Sequence, residues 1–326
     1  MAPIVKRRHW CPSMVSGGDR QIFGFHIFRS SFYPPLMNNP LFRPPAEADS
    51  LILQVDQGCP YNRCTFCGMY KDVPYRRLDI AEILSMIRFE ARNHPEAKRV
   101  FLADGDVMRK PASELKTILL ELKACLPVLA RVNLYATGRG IASKSGPELE
   151  ELRALKLNTL YMGLESGDEE TLRQSLKGET AGLMTRAATL AQSSGLKMSV
   201  MVLLGLAGEG RSDRHADATA AALNAMQPRL LSMLRVVPIP GTRLFDDTVA
   251  GRFRMLSERA IVGELRRMVA GLDLANTVFR ANHSSNIVPL EARFPRDKGE
   301  LLATLDAMLT SGRLDSCSPG ELPAWL

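Results

Sequence analysis

From Leu51 onward, short apolar and β-branched runs alternate with longer segments whose apolar residues recur every three or four positions. The first kind predicts strands and the second helices. The strand runs are Leu51–Asp56, Arg99–Ala103, Arg131–Ala136, Thr159–Leu164, Lys197–Leu204 and Leu230–Val237. Between the first two, Ile80, Ile83, Leu84 and Ile87 stripe a helix over Asp79–Asn93, with Asp79 and Glu82 as its capping box. Leu115, Ile118, Leu119 and Leu122 stripe the next, which opens at Pro111 and stops at Pro127. Cys125 falls on that same face and reads as a small buried hydrophobe. Further helices are predicted from Ser145 (boxed with Glu148), over Thr180–Ser194, and from a Ser212 cap to Pro228. Two more follow at Ser257–Leu272 and Asp297–Ser311, the second boxed by Asp297 and Glu300. A polar stretch, Phe279–Asn286, lies between them.

Six β/α units with short connections imply parallel strands joined by right-handed crossovers. The expected fold is α/β, a partial (β/α)6 TIM-like barrel over residues 51–245. Residues 246–326 read as a helical C-terminal extension. Residues 1–50, with Pro34-Pro35, Pro40 and Pro44-Pro45, read as an irregular extended segment. Its Phe23, Phe25, Phe28 and Phe32 argue that it packs on the core.

Composition narrows the class. The chain has 326 residues, of which 45% are apolar and 24% charged, as in a globular protein with a real core. No apolar run approaches the ~20 residues that cross a bilayer. The N-terminus is basic without an apolar stretch behind it, which argues against a secretory signal. The net charge of +7 is modest, and Lys6-Arg7-Arg8 reads as a solvated arm, so nucleic acid is not an expected partner. Six cysteines without framework spacing point to a reducing, cytoplasmic setting.

Three of those cysteines define the chemistry. Cys59, Cys64 and Cys67 crowd the loop after the first strand, where α/β proteins place their sites. A zinc site needs four ligands, and no second Cys or His pair follows. A redox disulfide would leave Cys59 unexplained. A 4Fe–4S cluster held by three thiolates keeps one iron open to an outside ligand, and this reading fits best. The other strand ends carry Asp104 and Asp106, Thr137 and Arg139, Glu165 and Ser166, Gly205 and Glu209, and Pro238. Gln54, Asp56, Tyr135, Tyr161 and Arg235 occupy strand positions that would point into the barrel, which favours a polar ligand there.

Cys59-x4-Cys64-x2-Cys67 resembles the cysteine loop of the radical S-adenosylmethionine (SAM) superfamily, with one extra residue between the first two cysteines. The superfamily's branch of methylthiotransferases and oxygen-independent coproporphyrinogen oxidases is the most similar. Phe66 stands where that family has an aromatic residue against adenine. Asp104-Gly105-Asp106 resembles its Gly-Gly-Glu segment, which receives the methionine ammonium. Gly163-Leu-Glu-Ser166, Gly205-Leu-Ala-Gly-Glu209 and Pro240-Gly-Thr242 resemble its later strand-end motifs.

The resemblance implies an oxygen-sensitive enzyme with one 4Fe–4S cluster on Cys59, Cys64 and Cys67. It implies SAM held by Phe66, Asp104, Gly105, Asp106, Thr137, Arg139, Glu165, Ser166, Gly205 and Arg235. It further implies an electron donor such as flavodoxin or ferredoxin, and a small-molecule substrate, organic or tetrapyrrole-like. Tyr161, Asn282, His283 and Asn286 are candidates for substrate contact. No catalytic residue is assigned, and Cys11 and Cys317 have no local partner. The contrasting reading is a non-catalytic iron–sulfur sensor or scaffold.

Overall fold

The computed structural model describes residues 41–323. Lys6–Arg8, the four phenylalanines from Phe23 to Phe32 and Cys11 lie outside the described residues. One sheet of eight strands runs in chain order, built from β1 (Leu51–Gln54), β2 (Arg99–Ala103), β3 (Arg131–Tyr135), β4 (Leu157–Glu165), β5 (Lys197–Leu204), β6 (Leu230–Arg235), β7 (Thr277–Ala281) and β8 (Leu290–Phe294). The first seven are parallel and β8 returns antiparallel. Among the described residues β8 does not pair with β1, so the sheet stays open.

Helices α1 (Ile80–Asn93), α2 (Ala112–Cys125), α3 (Gly146–Ala154), α4 (Ala181–Ser193), α5 (Ser212–Met226), α6 (Glu258–Gly271) and α7 (Lys298–Thr310) accompany the strands. The stripes read from the sequence are the faces they bury: Ile83 and Ile87 of α1, and Leu115, Ile118, Leu119 and Leu122 of α2. With Val100, Leu102, Val200 and Val202 of the strands they form one continuous core on the sheet's outer side. Cys125 is partly buried against it. None of the described helices is long and apolar enough to cross a membrane.

The α/β reading and its six units hold, with one addition. The C-terminal extension contains two strands besides its helices, because the stretch read as polar begins inside β7. Five residues interrupted by Arg280 give too short an alternation to stand out beside Asn282–Asn286. Two caps also differ. Arg211, not Ser212, precedes α5, and the Ser212 hydroxyl instead donates to Glu264 at 2.6 Å. Asp297 precedes α7 without a side-chain cap bond; its carboxylate accepts from the Arg293 amide at 2.8 Å.

Strand register sets what the concave face presents. Gly163, Met201, Ser232, Arg280 and Glu291 are paired in one row across β4 to β8. Their neighbours Val200, Val202, Leu231 and Phe279 face the outer core. The polar positions read as barrel-lining are answered mostly by the chain itself. Gln54 donates to Asp104 at 2.7 Å, and Asp56 lies 2.8 Å from the buried Lys110 ammonium. Tyr161 donates at 2.5 Å to Glu47, which enters the barrel from the 3-10 turn Pro45–Glu47. Glu47 is 1% exposed and also accepts from Asn133 at 2.8 Å and Ser50 at 2.6 Å.

Replacing Glu47 by alanine would strand the Tyr161 hydroxyl and the Asn133 amide in a buried site. The expected cost is about 2–4 kcal/mol of unfolding free energy, read from urea melts, with Glu47→Gln losing less. An alanine variant as stable as the parent would remove this plug from the account of the fold.

Candidate cofactor site

The cysteine loop leaves β1 through Gly58, whose φ of 77° favours glycine and whose amide donates to Asp104 at 3.0 Å. The extra residue is absorbed at Asn62, which takes a left-handed φ of 41°. Its side-chain amide donates to the Tyr70 carbonyl at 2.6 Å, and its backbone N–H reaches Cys59 Sγ at 3.5 Å. The neighbouring Tyr61 swings across the rim, and its hydroxyl donates to the Leu176 carbonyl at 2.8 Å. A Cβ at Gly178 would overlap that ring, so a glycine there admits the tyrosine. Thr65 ties the loop down on both sides: its amide donates to Ser175 at 2.9 Å, and its carbonyl accepts from Leu244 at 2.9 Å.

Cys59, Cys64 and Cys67 are half-buried and free of disulfides. Burial pushes the Cys64 thiol up to about 12, against the pull of the Lys177 ammonium, and burial raises Cys67 as well. Thiolates in such a setting require a positive centre. Among the described residues, no three or more His, Cys, Asp or Glu side chains gather as a site for one ion. Cys59, Cys64 and Cys67 stand near enough to oppose one another's ionisation, and three thiol donors on one loop fit an iron–sulfur cluster.

Beside the thiols lies a cavity of about 190 Å³. Phe66, Cys67, Gly68 and Met69 form one wall, while Leu203, Val236 and Ile239 form an apolar wall facing it. Glu165 and Arg235 bring its charges. Glu165 ends β4 at φ 61°, where the β4–β5 register slips, and its carboxylate sits 3.0 Å from Lys177 Nζ. A Cβ at Gly163 would overlap that carboxylate, which is why Gly precedes Glu by two. Tyr135 also lines this cavity, and its hydroxyl has no hydrogen bond among the described residues.

Other candidates support the rim without lining this cavity. Asp104 accepts from Gln54, from Gly58 and, at 3.3 Å, from the Tyr70 hydroxyl, so both oxygens are engaged beneath the cysteine loop. Asp106 accepts from the Thr137 hydroxyl at 2.7 Å and the Thr137 amide at 3.1 Å. Burial lifts both carboxyls to about 6. Gly105 lets the chain pass close to Cys59. Arg139 is exposed and donates to the Gly178 carbonyl at 2.6 Å.

Ser166 is fully buried with its hydroxyl 2.7 Å from His215 Nδ1, behind the site. His215 in turn lies 3.7 Å from Glu264, which accepts from the Gly205 amide at 2.7 Å. Burial keeps His215 neutral, down to about 4, and pushes Glu264 up to about 7, so this contact is not an ion pair. Glu264 instead pins the Gly205 turn. Asn286 is likewise engaged: it accepts from the Arg235 amide at 2.8 Å and donates to the Met233 carbonyl at 2.9 Å, extending β6 pairing in place of a substrate. Cys317 is exposed on the C-terminal segment.

A second cavity of about 380 Å³ lies on the same concave face and shares Met201, Leu234 and His283 with the first. Tyr161, Asn282 and His283 line it. Sequence reading passed over Glu47, Lys177, Glu264 and Arg280. Single charged residues in helices, turns and a short strand carry no spacing signal; only the fold brings them to the site.

A thiol-bearing loop at the mouth of an open, mostly parallel sheet, beside a mixed cavity, defines a cofactor-dependent α/β enzyme. The family model described as the radical SAM superfamily matches residues 53–221, just over half of the chain, and the chain belongs to that superfamily. No curated protein sequence matches it. Solved structures share the fold. Coproporphyrinogen III oxidase (HemN) from Escherichia coli aligns at TM-score 0.51 and 14% identity over 68% of this chain and 51% of its own. Elp3 from Methanocaldococcus infernus aligns at 0.50 and 12%, over 82% and 64%. The cobalamin-dependent radical enzyme OxsB aligns at 0.46 and 16%, and there the match spans 30% of the longer chain. Membership implies a 4Fe–4S cluster and SAM, and the chain spans about a third to two thirds of the length of these solved structures.

Proposed function

We propose that the chain cleaves SAM reductively and directs the resulting 5′-deoxyadenosyl radical at hydrogen abstraction from a small organic or tetrapyrrole-like substrate. The observation that carries this reading is a cavity lined by Cys67 of the three-thiol loop, Phe66 and Glu165, which abuts a second cavity. When bound, the cluster supplies the electron for that cleavage. Cys59, Cys64 and Cys67 would hold it. Phe66 offers its ring to adenine, and the apolar wall of Leu203, Val236 and Ile239 keeps water from the base. Glu165, fixed by Lys177, is the carboxylate facing the cavity and suits a ribose hydroxyl or a cationic group. Arg235 suits the methionine carboxylate.

Asp104, Asp106, Thr137 and Ser166 act one layer back by fixing the loops that carry these groups. We place the enzyme in the cytoplasm, sensitive to oxygen, with a flavodoxin or ferredoxin as electron donor and without nucleic acid. The test is anaerobic: load the protein with iron and sulfide, add SAM and dithionite, and quantify 5′-deoxyadenosine. Formation above the cluster-free control is expected. A fully loaded cluster that leaves SAM intact would favour an iron–sulfur sensor instead.

A further inference from the structure

We infer that the second cavity receives the substrate by a carboxylate group, and that Arg280 is its anchor. The inference rests on the radical SAM reading for what happens next, but not for the binding itself. Arg280 lies in the row Met201–Ser232–Arg280 on the concave face, and its side chain is 40% exposed. It is the only Asp, Glu, Lys or Arg among the described residues that line this cavity, while burial pushes the His283 imidazole down, toward its neutral form.

The guanidinium is poorly answered within the protein. Its Nε is buried without a hydrogen bond among the described residues. The cross-strand partner Glu291 stands off at 3.9 Å. That carboxylate is 60% exposed, and its near oxygen already accepts from Asn282 at 2.5 Å. An arginine fork so placed is suited to a planar bidentate acceptor.

Its surroundings select the kind of anion. Ser232 is register-paired with Arg280, Ser199 lines the same cavity, and neither hydroxyl makes a hydrogen bond among the described residues. One fixed positive charge and two rotatable hydroxyl donors match a singly charged carboxylate better than a phosphate dianion, which would call for further cations. Tyr161, Met201 and Leu230 give the remaining wall an apolar and aromatic character. The volume suits a molecule of drug-like size or less. With Met201, Leu234 and His283 common to both cavities, an anchored acid would extend its hydrocarbon part toward the cofactor cavity.

Calorimetry on the protein without SAM or reductant tests this directly. The probes are propionate, phenylacetate and decanoate, each against its neutral amide, with inorganic phosphate as competitor. At least one acid should bind about tenfold or more tightly than its amide. Arg280→Gln should abolish that preference, and Arg280→Lys should retain part of it while melting like the parent. Equal affinity of every acid and amide, a preference that survives Arg280→Gln, absence of binding across the set, or tighter phosphate binding would each overturn the proposal. SAM cleavage measured without any added acid reports only on the radical SAM reading, so the two can fail separately.

Discussion

Cys64→Ala is expected to yield a folded protein that binds no 4Fe–4S cluster and forms no 5′-deoxyadenosine above background. The loop does not depend on this thiol for its path. Thr65 is held by Ser175 and Leu244, Asn62 by Tyr70, and Tyr61 by Leu176, all through bonds that the substitution leaves in place. Stability should therefore change little, since the thiol removed is neutral at ordinary pH, pushed up by burial to about 12. Cluster affinity, by contrast, loses one of its three protein donors. Loss of a second-shell partner alone commonly costs metal sites 10–100-fold, so loss of a ligand should exceed about a hundredfold. Iron and sulfide per chain, the visible absorbance of the loaded protein and the reduced-state EPR signal are the measurements. Cys317→Ala, at an exposed position outside the cysteine loop, should load a cluster as the parent does. A full 4Fe–4S signal in Cys64→Ala would sink the ligand assignment.

What the cysteine loop required of its surroundings was legible only in part. The alternation of periods located six strands and most helices because parallel strands are buried on both faces and amphipathic helices on one. Motif order then identified the rim: Gly163 must be small because Glu165 folds back over it, and Gly105 because Cys59 lies against it. Those are backbone constraints that leave a mark in the sequence. Partnership leaves none. Asp104 and Asp106 read as ligand-facing acids, yet the nearest donors to each are supplied by the chain. Tyr161 read as cavity polarity, yet Glu47, more than a hundred residues away, satisfies it. Asn286 looked like a substrate contact because it sits in a polar run, and its amide turned out to complete the edge of β6. In each case the residue type announced a hydrogen bond, and only the fold decided with whom.

The same distinction explains the added loop residue. A longer Cys59–Cys64 segment would be a liability if it merely slackened the loop, since conformational freedom at a ligand costs affinity. Here the surplus is immobilised twice, by the left-handed Asn62 and by the Tyr61 contact with the Leu176–Gly178 turn. That turn also carries Lys177, the partner of Glu165. The cysteine loop and the Glu165 side of the cavity are thus held to one another.

Gly105→Ala should separate holding a cluster from shaping its loop. A Cβ at Gly105 would stand 2.8 Å from Cys59 Cβ and 2.9 Å from Cys59 Cα, with Sγ at 3.1 Å. No side-chain rotation relieves a contact with Cα, so backbone must move on one side or the other. The Gly105 side resists, because its amide donates to the Gly58 carbonyl at 3.2 Å and Asp104 beside it accepts from Gly58 and Gln54. Cys59 is the more yielding side, and its displacement takes one ligand out of register with the other two. The expected result is cluster loading reduced by about tenfold or more, together with about 1–3 kcal/mol lost in unfolding free energy. Gly210→Ala serves as the control, since nothing lies within 4 Å of the added carbon. Iron content after anaerobic loading and urea melts of the unloaded protein read the two effects independently. Cys64→Ala should lose the cluster at nearly constant stability, whereas Gly105→Ala should lose both. A Gly105→Ala variant that loads fully and melts like the parent would show that the strand-two turn does not position Cys59.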